Sequence, residues 1–268
     1  MPAVSETATL EAGSARACYY EAVPEGYLAQ PPATGPWDPR AQSGVALAGL
    51  MAHLVETDPE AAGLDIARFQ LEILRPAPFG EPCQVRRSVL RSGQRIRLVE
   101  IELSAEGRPL VRAMAARLRI GESPDLSEPG PPADPDAIEA PPFRRRSARS
   151  PFASKLLAGG LEQLGPGEAW FRYDADIVAG FPITPFVAAA MITDKGSGLG
   201  SVFNWREYSY ANIDLSMHLT RAPRDPWIHL AAETVTQGLG RALANGRLSD
   251  RFGPFAYTHQ TLFLETRG

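Results

Sequence analysis

The sequence predicts an α+β fold made of two antiparallel sheets, each wrapped around a central helix. Three observations carry that expectation. Short runs alternate between apolar and polar residues, two segments read as helices that are apolar on every side, and a stretch dense in Pro, Ser and acid divides the chain into halves with matching patterns. The expected organisation is a first module over residues 1–122, a linker over 123–150 and a second module over 151–268.

In the first half, Phe69-Gln70-Leu71-Glu72-Ile73 and Val99-Glu100-Ile101-Glu102-Leu103 alternate with period two. That is the pattern of antiparallel strands with one face buried. In the second half Ile213, Leu215, Met217 and Leu219 alternate with Asp214, Ser216 and His218. Laid over one another, Phe69, Leu71, Ile73 and Arg75 match Leu215, Met217, Leu219 and Arg221. Downstream each half repeats strand, tight turn and strand, with Gly93 or Gly238 in the turn, as a hairpin requires. A last strand closes each unit, Leu110 to Ile120 and Phe255 to Glu265. Conserved order, shared Arg and Pro punctuation and matching turn chemistry identify an internal duplication.

One helix precedes each strand set. In the second half Thr184 is an N-cap, Pro185 takes the first helical position, and Phe186 to Ile192 continue as an apolar run, with Gly196 as the expected stop. In the first half Ser43 caps a helix over Gly44 to Glu56. A helix apolar all round is buried, and Ala46, Ala48 and Gly49 would let a sheet approach it closely.

Composition bounds the function. The chain has 268 residues, 44% hydrophobic and 22% charged, with a formal net charge of −4. No basic field is available to hold nucleic acid or an anionic membrane, so neither is expected as a partner. No apolar run approaches the ~20 residues of a membrane helix, and Met1–Glu6 lacks the basic and apolar regions of a secretory leader. A cytoplasmic location is expected. Cys18 and Cys83 are too few for a disulfide scaffold or zinc cluster and read as small apolar residues.

The order strand, buried helix, then four antiparallel strands, twice over, is that of a double hotdog. The segments MITDKGSGLG, YANIDLSMHLTRAP, Glu233-Thr234-Val235-Thr236 and YTHQTLFLETR resemble the bacterial type II acyl-CoA thioesterases and their relatives, over nearly all of the chain except the linker and the first ~15 residues. The resemblance implies an acyl-CoA substrate and no cofactor or metal. It further implies a catalytic trio of an Asp after the second helix, a hydroxyl residue at the start of the next strand and a Gln on the last strand. Those positions hold Asp194, Asn212 and Gln260, so an amide stands where the family has a hydroxyl. Family habit also makes pairing with a second copy an expectation.

Each residue has an ordinary reading beside the functional one. Asp194 ends a helix, where the macrodipole disfavours a carboxylate by a few tenths to about 1 kcal/mol; it is a local cap or a water-orienting base raised by burial. Gln260 is in phase with Leu262 and Leu264, so it is a buried amide tied to backbone or a ligand for a water. Asn212 is an ordinary turn residue or an amide that hydrogen-bonds the water. Asp214 and His218 are about 13 Å apart along a strand and read as a solvated face. The glycines of GSGLGS follow a helix instead of leading into one, so they are no phosphate loop. Arg144-Arg145-Arg146 reads as a soluble linker patch or a phosphate contact for CoA.

The expected function is hydrolysis of an acyl-CoA thioester by a water held by Asp194, Asn212 and Gln260. Backbone N–H groups near Gly44 would form the oxyanion site, the acyl chain would lie between the two helices, and only one site per chain would be active. The alternatives are a non-catalytic acyl-CoA or polyketide binder, and a hotdog hydratase or dehydratase. The latter needs a His close to an acid, and His53, His218, His229 and His259 show no such spacing along the chain.

Overall fold

A computed structural model describes residues 16–126, 134–143 and 151–267. Met1–Glu6 and Arg144–Arg146, which entered the expectations above, lie outside the described residues.

The first half contributes strands β1 (Cys18–Val23) and β2 (Gly26–Ala29), helix α1 (Gly44–Glu56), and strands β3 (Leu64–Ile73), β4 (Gln84–Ser92), β5 (Ile96–Ala105) and β6 (Arg108–Arg119). The second contributes β7 (Phe152–Ala158), β8 (Gly167–Tyr173), β9 (Asp176–Val178) and β10 (Phe181–Pro182), then helix α2 (Pro185–Thr193). A one-turn helix α3 (Gly196–Leu199) and strands β11 (Tyr208–Asn212), β12 (Asp214–Leu219), β13 (Ile228–Thr236), β14 (Arg241–Asp250) and β15 (Gly253–Thr266) complete it.

Both helix caps form as their residues dictate. The Ser43 Oγ accepts from the Ala46 N–H, and the Thr184 Oγ1 accepts from the Val187 N–H with Pro185 behind it. One expectation differs: Gly196 does not stop α2. The helix ends at Thr193 and Gly196 opens the extra turn of α3, because the N–H groups of Gly198 and Leu199 find the Lys195 carbonyl.

The two sheets are continuous. Their combined order is β4-β5-β6-β3-β12-β15-β14-β13-β8-β7, joined where β3 pairs antiparallel with β12. The register sets Leu71 opposite Leu215, Gln70 opposite Ser216 and Phe69 opposite Met217. Gln70 and Ser216 are also equivalent in the internal repeat, so a pseudo-two-fold axis passes between them, as in an isologous interface folded into one chain. Phe69, Leu71, Leu215 and Met217 are all at most 1% exposed at this junction.

A smaller sheet, β10-β9-β1-β2, ties the halves together again. In it β1 lies parallel to β9, with Cys18 opposite Asp176 and Tyr20 opposite Val178.

Both helices are sealed in the core that these sheets enclose, with every residue from Phe186 to Thr193 buried. Gly49 of α1 makes their close approach possible: a Cβ there would lie 2.7 Å from Ile177 and 2.8 Å from Met191 of α2. Among the described residues no helix is long and apolar enough to cross a membrane.

Candidate active site

Asp194 follows α2 directly as its C-cap residue. Its carboxylate turns away from the negative end of its own helix and lies against the first turn of α1, the positive end of a neighbouring dipole. A Cβ on Gly44 would fall 2.5 Å from Asp194 Oδ1, so only glycine admits the carboxylate at this point. The Val45 N–H donates to Asp194, and the Asn212 Nδ2 donates to its Oδ1 at 2.8 Å.

Asp194 faces a cavity and is half-buried, yet protein atoms surround its carboxyl closely. Burial pushes that carboxyl above the ordinary carboxylate range, against the lowering effects of the Asn212 amide, the Lys195 charge and the Val45 N–H. In the first turn of α1 the Ala46 N–H goes to Ser43 Oγ and the Leu47 N–H to the Ser43 carbonyl. Gly44 carries the remaining donor.

Gln260 is 1% exposed on β15. Its Oε1 accepts from the Ser197 N–H at 2.8 Å, so it holds the turn that follows Asp194. The Gln260 Nε2 and the Asn212 Oδ1 are buried without a hydrogen-bond partner among the described residues, a costly arrangement unless a water or ligand group completes it. The structure thus brings Asp194, Asn212 and Gly44 into direct contact, while Gln260 reaches the group through Ser197.

The cavity over Asp194 has a volume of about 290 Å³. Ser43, Gly44, Asp194, Lys195, Ser197 and Asn212 are among its polar residues, and Tyr19, Trp37, Phe143 and Tyr210 are among its apolar walls. These aromatic residues escaped the sequence reading because each resembles an ordinary core or surface ring. Phe143 sits in the linker, where no period marks it; its ring packs edge-on to Phe171 at 5.6 Å.

The pseudo-symmetric position is occupied differently. Glu56, at the end of α1, accepts from the Thr184 Oγ1 at the start of α2 at 2.8 Å. Each helix therefore delivers a carboxyl to the other's N-terminus, and burial raises Glu56 as well. Among the described residues no side-chain amide donates to it. Arg117 instead donates to the Val55 and Glu56 carbonyls and closes the end of α1.

Two expectations are corrected. Close packing of Gly49 against Ile177 and Met191 leaves no room for an acyl chain between the helices. A histidine does meet an acid: His229 Nε2 lies 3.5 Å from Glu168, a pairing across strands that spacing along the chain cannot reveal. Glu168 alternates with Ala169, Phe171 and Tyr173, which face the helices, so this pair lies on the opposite face of the sheet from Asp194.

Models of acyl-CoA thioesterase domains match both halves, the N-terminal domain over residues 33–118 and the C-terminal domain over residues 122–264. The chain belongs to the acyl-CoA thioesterase family. A search of curated proteins finds no match. Among solved structures, the fold of this family member is similar to that of a hot dog protein of unknown function from Alicyclobacillus acidocaldarius, at 16% identity over 90% of this chain and 93% of that one, with a TM-score of 0.74. It is also similar to an acyl-CoA thioesterase II from Mycobacterium marinum, at 18% identity over 84% and 91% of the two chains, with a TM-score of 0.65. The double hotdog expected from the sequence is thereby shown.

Within this thioesterase-family fold the Gly44 contact is testable. Gly44→Ala is expected to displace the Asp194 carboxylate and lower turnover of an acyl-CoA by about 10²-fold or more, as a displacement near 1 Å at a reacting group does. Steady-state rates with circular dichroism to verify folding would decide it, and a rate within twofold of wild type would refute the role assigned to this contact.

Proposed function

We propose that the protein hydrolyses acyl-CoA thioesters to the free acid and CoA, with the water activated at Asp194. The observation that carries this reading is the Asp194–Asn212 pair held against the first turn of α1 at the cavity wall, in a chain of the acyl-CoA thioesterase family.

In this mechanism a water donates to Asp194 and is oriented by the free Asn212 Oδ1 and Gln260 Nε2. Asp194 takes a proton as the water oxygen attacks the thioester carbon. The carbonyl oxygen gains charge beside the Gly44 N–H, where the helix dipole favours an anion. Collapse of the tetrahedral intermediate breaks the carbon–sulfur bond, CoA leaves as a thiolate that takes up a proton, and the acid departs. No covalent intermediate forms, and one site operates per chain because Glu56 bonds the Thr184 hydroxyl where Asp194 bonds the Asn212 amide.

Asn212 in place of a hydroxyl also fits a protein that binds acyl-CoA without turnover. Release of free thiol from an acyl-CoA panel separates the two readings. Hydrolysis is expected, and Gln260→Ala is expected to lower kcat by about 10²-fold, the usual effect of removing one positioned donor. Tight CoA-ester binding with no thiol release would overturn the hydrolytic reading.

A further inference from the structure

Resting on that reading, we propose that the acyl group taken by this cavity is a compact aromatic one, of benzoyl or phenylacetyl size, and not a long alkyl chain.

The first ground is the closed helix seam. Leu47, Ala48, Leu50 and Met51 of α1 are at most 2% exposed, as are Val187 and Met191 of α2. With Gly49 seated on Ile177 and Met191, an alkyl chain has no path from Asp194 into the core.

The second is space. A volume of about 290 Å³ falls at the small end of the roughly 300–1,000 Å³ typical of ligand sites. Part of it must also hold the thioester and the adjoining end of the carrier.

The third is the character of the walls. Tyr19 is 2% and Phe152 9% exposed; with Phe143 they line the buried part of the cavity, where the Lys195 ammonium lies over the Phe152 ring at 4.2 Å. Trp37, 53% exposed, and Tyr210 stand at the rim in edge-to-face contact, with centroids 6.3 Å apart. Phe143 is fixed edge-on to Phe171 and Phe152 rests on the same ring, so the inner walls are rigid. A flat ring between such walls gains edge-to-face and offset contacts that an alkyl group of equal area lacks, roughly 2- to 10-fold in affinity per ring pair. The buried end therefore takes the acyl ring, and the carrier leaves past Trp37 and Tyr210.

The test is kcat/KM for thiol release from hexanoyl-, octanoyl-, palmitoyl-, benzoyl- and phenylacetyl-CoA. An aryl ester is expected to exceed hexanoyl-CoA by at least about 10-fold, with palmitoyl-CoA near background. Phe143→Leu is expected to narrow the aryl-to-hexanoyl ratio several-fold, a readout that partial loss of folded protein does not move. Preference for octanoyl or palmitoyl esters, or equality of hexanoyl and aryl esters, overturns the proposal. If no ester turns over, hydrolysis itself fails. The acyl class is then decided separately by the Kd of benzoyl-CoA against palmitoyl-CoA, where tighter palmitoyl binding overturns it.

Discussion

Asp194→Asn is expected to lower kcat for thioester hydrolysis by about 10²- to 10⁴-fold, the range contributed by a positioned general base, while the fold is kept. The amide matches the carboxylate in shape and still offers an oxygen to Asn212 and the Val45 N–H, but it cannot accept a proton from water. The pH dependence has a definite sign. Burial raises the Asp194 carboxyl, so the rate should climb with pH through that raised value as the base ionises, and this limb should vanish in the variant.

Stability should move the other way. A carboxyl whose folded pKa is raised stabilises the fold fully below its unfolded pKa, and that contribution is lost as pH rises through the folded value. Above that folded value the ionised Asp194 therefore opposes folding, as functional groups often do. The Asn variant should melt at or above the wild-type Tm on the alkaline side of that value, with the gap closing on acidification. A variant that loses activity only in proportion to lost Tm would show Asp194 to be structural.

The largest expected loss of stability lies elsewhere, at Arg97. It is 2% exposed at the side chain, as is Asp58, and its Nε and NH2 donate to the two Asp58 carboxylate oxygens at 2.8 and 3.2 Å. NH1 also reaches Ser92 Oγ and NH2 reaches Glu60. The cluster pins the segment after α1 to the hairpin of β4 and β5. Removing Arg97 leaves the buried Asp58 with only the Arg87 guanidinium, 3.6 Å away, so Arg97→Met should cost about 3 kcal/mol, near the low end for a buried pair.

For Asp58, burial would raise the carboxyl, but the bonds from Arg97 and the Glu60 N–H and the charges of Arg97 and Arg87 outweigh it and leave it lowered. Its contribution is thus present above the ordinary carboxylate pKa and lost as pH falls through the lowered folded value. The deficit of the Met variant should shrink toward pH ~4, where Asp58 freed from Arg97 takes up a proton. Urea unfolding at both pH values would measure it; a cost below about 0.5 kcal/mol at pH 7 would mean the pair contributes nothing net.

How far the sequence speaks depends on whether a signal is local. Caps at Ser43 and Thr184, the alternation at Phe69–Ile73 and Leu215–Leu219, and the repeat relating them are local, and each element stands where its residues place it. The parallel pairing of β1 with β9 joins residues about 158 positions apart, Cys18 with Asp176, and neither strand carries a mark of the other. Asp194 and Asn212 could be singled out, but not the reason an acid ends α2, because the dipole it answers belongs to α1. Gly44 was legible as a helix start, not as the one residue that leaves room for Asp194. His229 and Glu168 met for the same non-local reason, and Phe143 became a wall only through Phe171.

The shared β3–β12 junction means that neither half is a finished object. Cut within the linker, each fragment would bare an edge strand carrying Phe69 and Leu71 or Leu215 and Met217, ready to pair with any open edge. The C-terminal fragment would keep Asp194, Asn212 and Gln260 yet lack the helix end that receives the carboxylate. Function would thus reside in neither piece and would return only when the two are recombined along that seam.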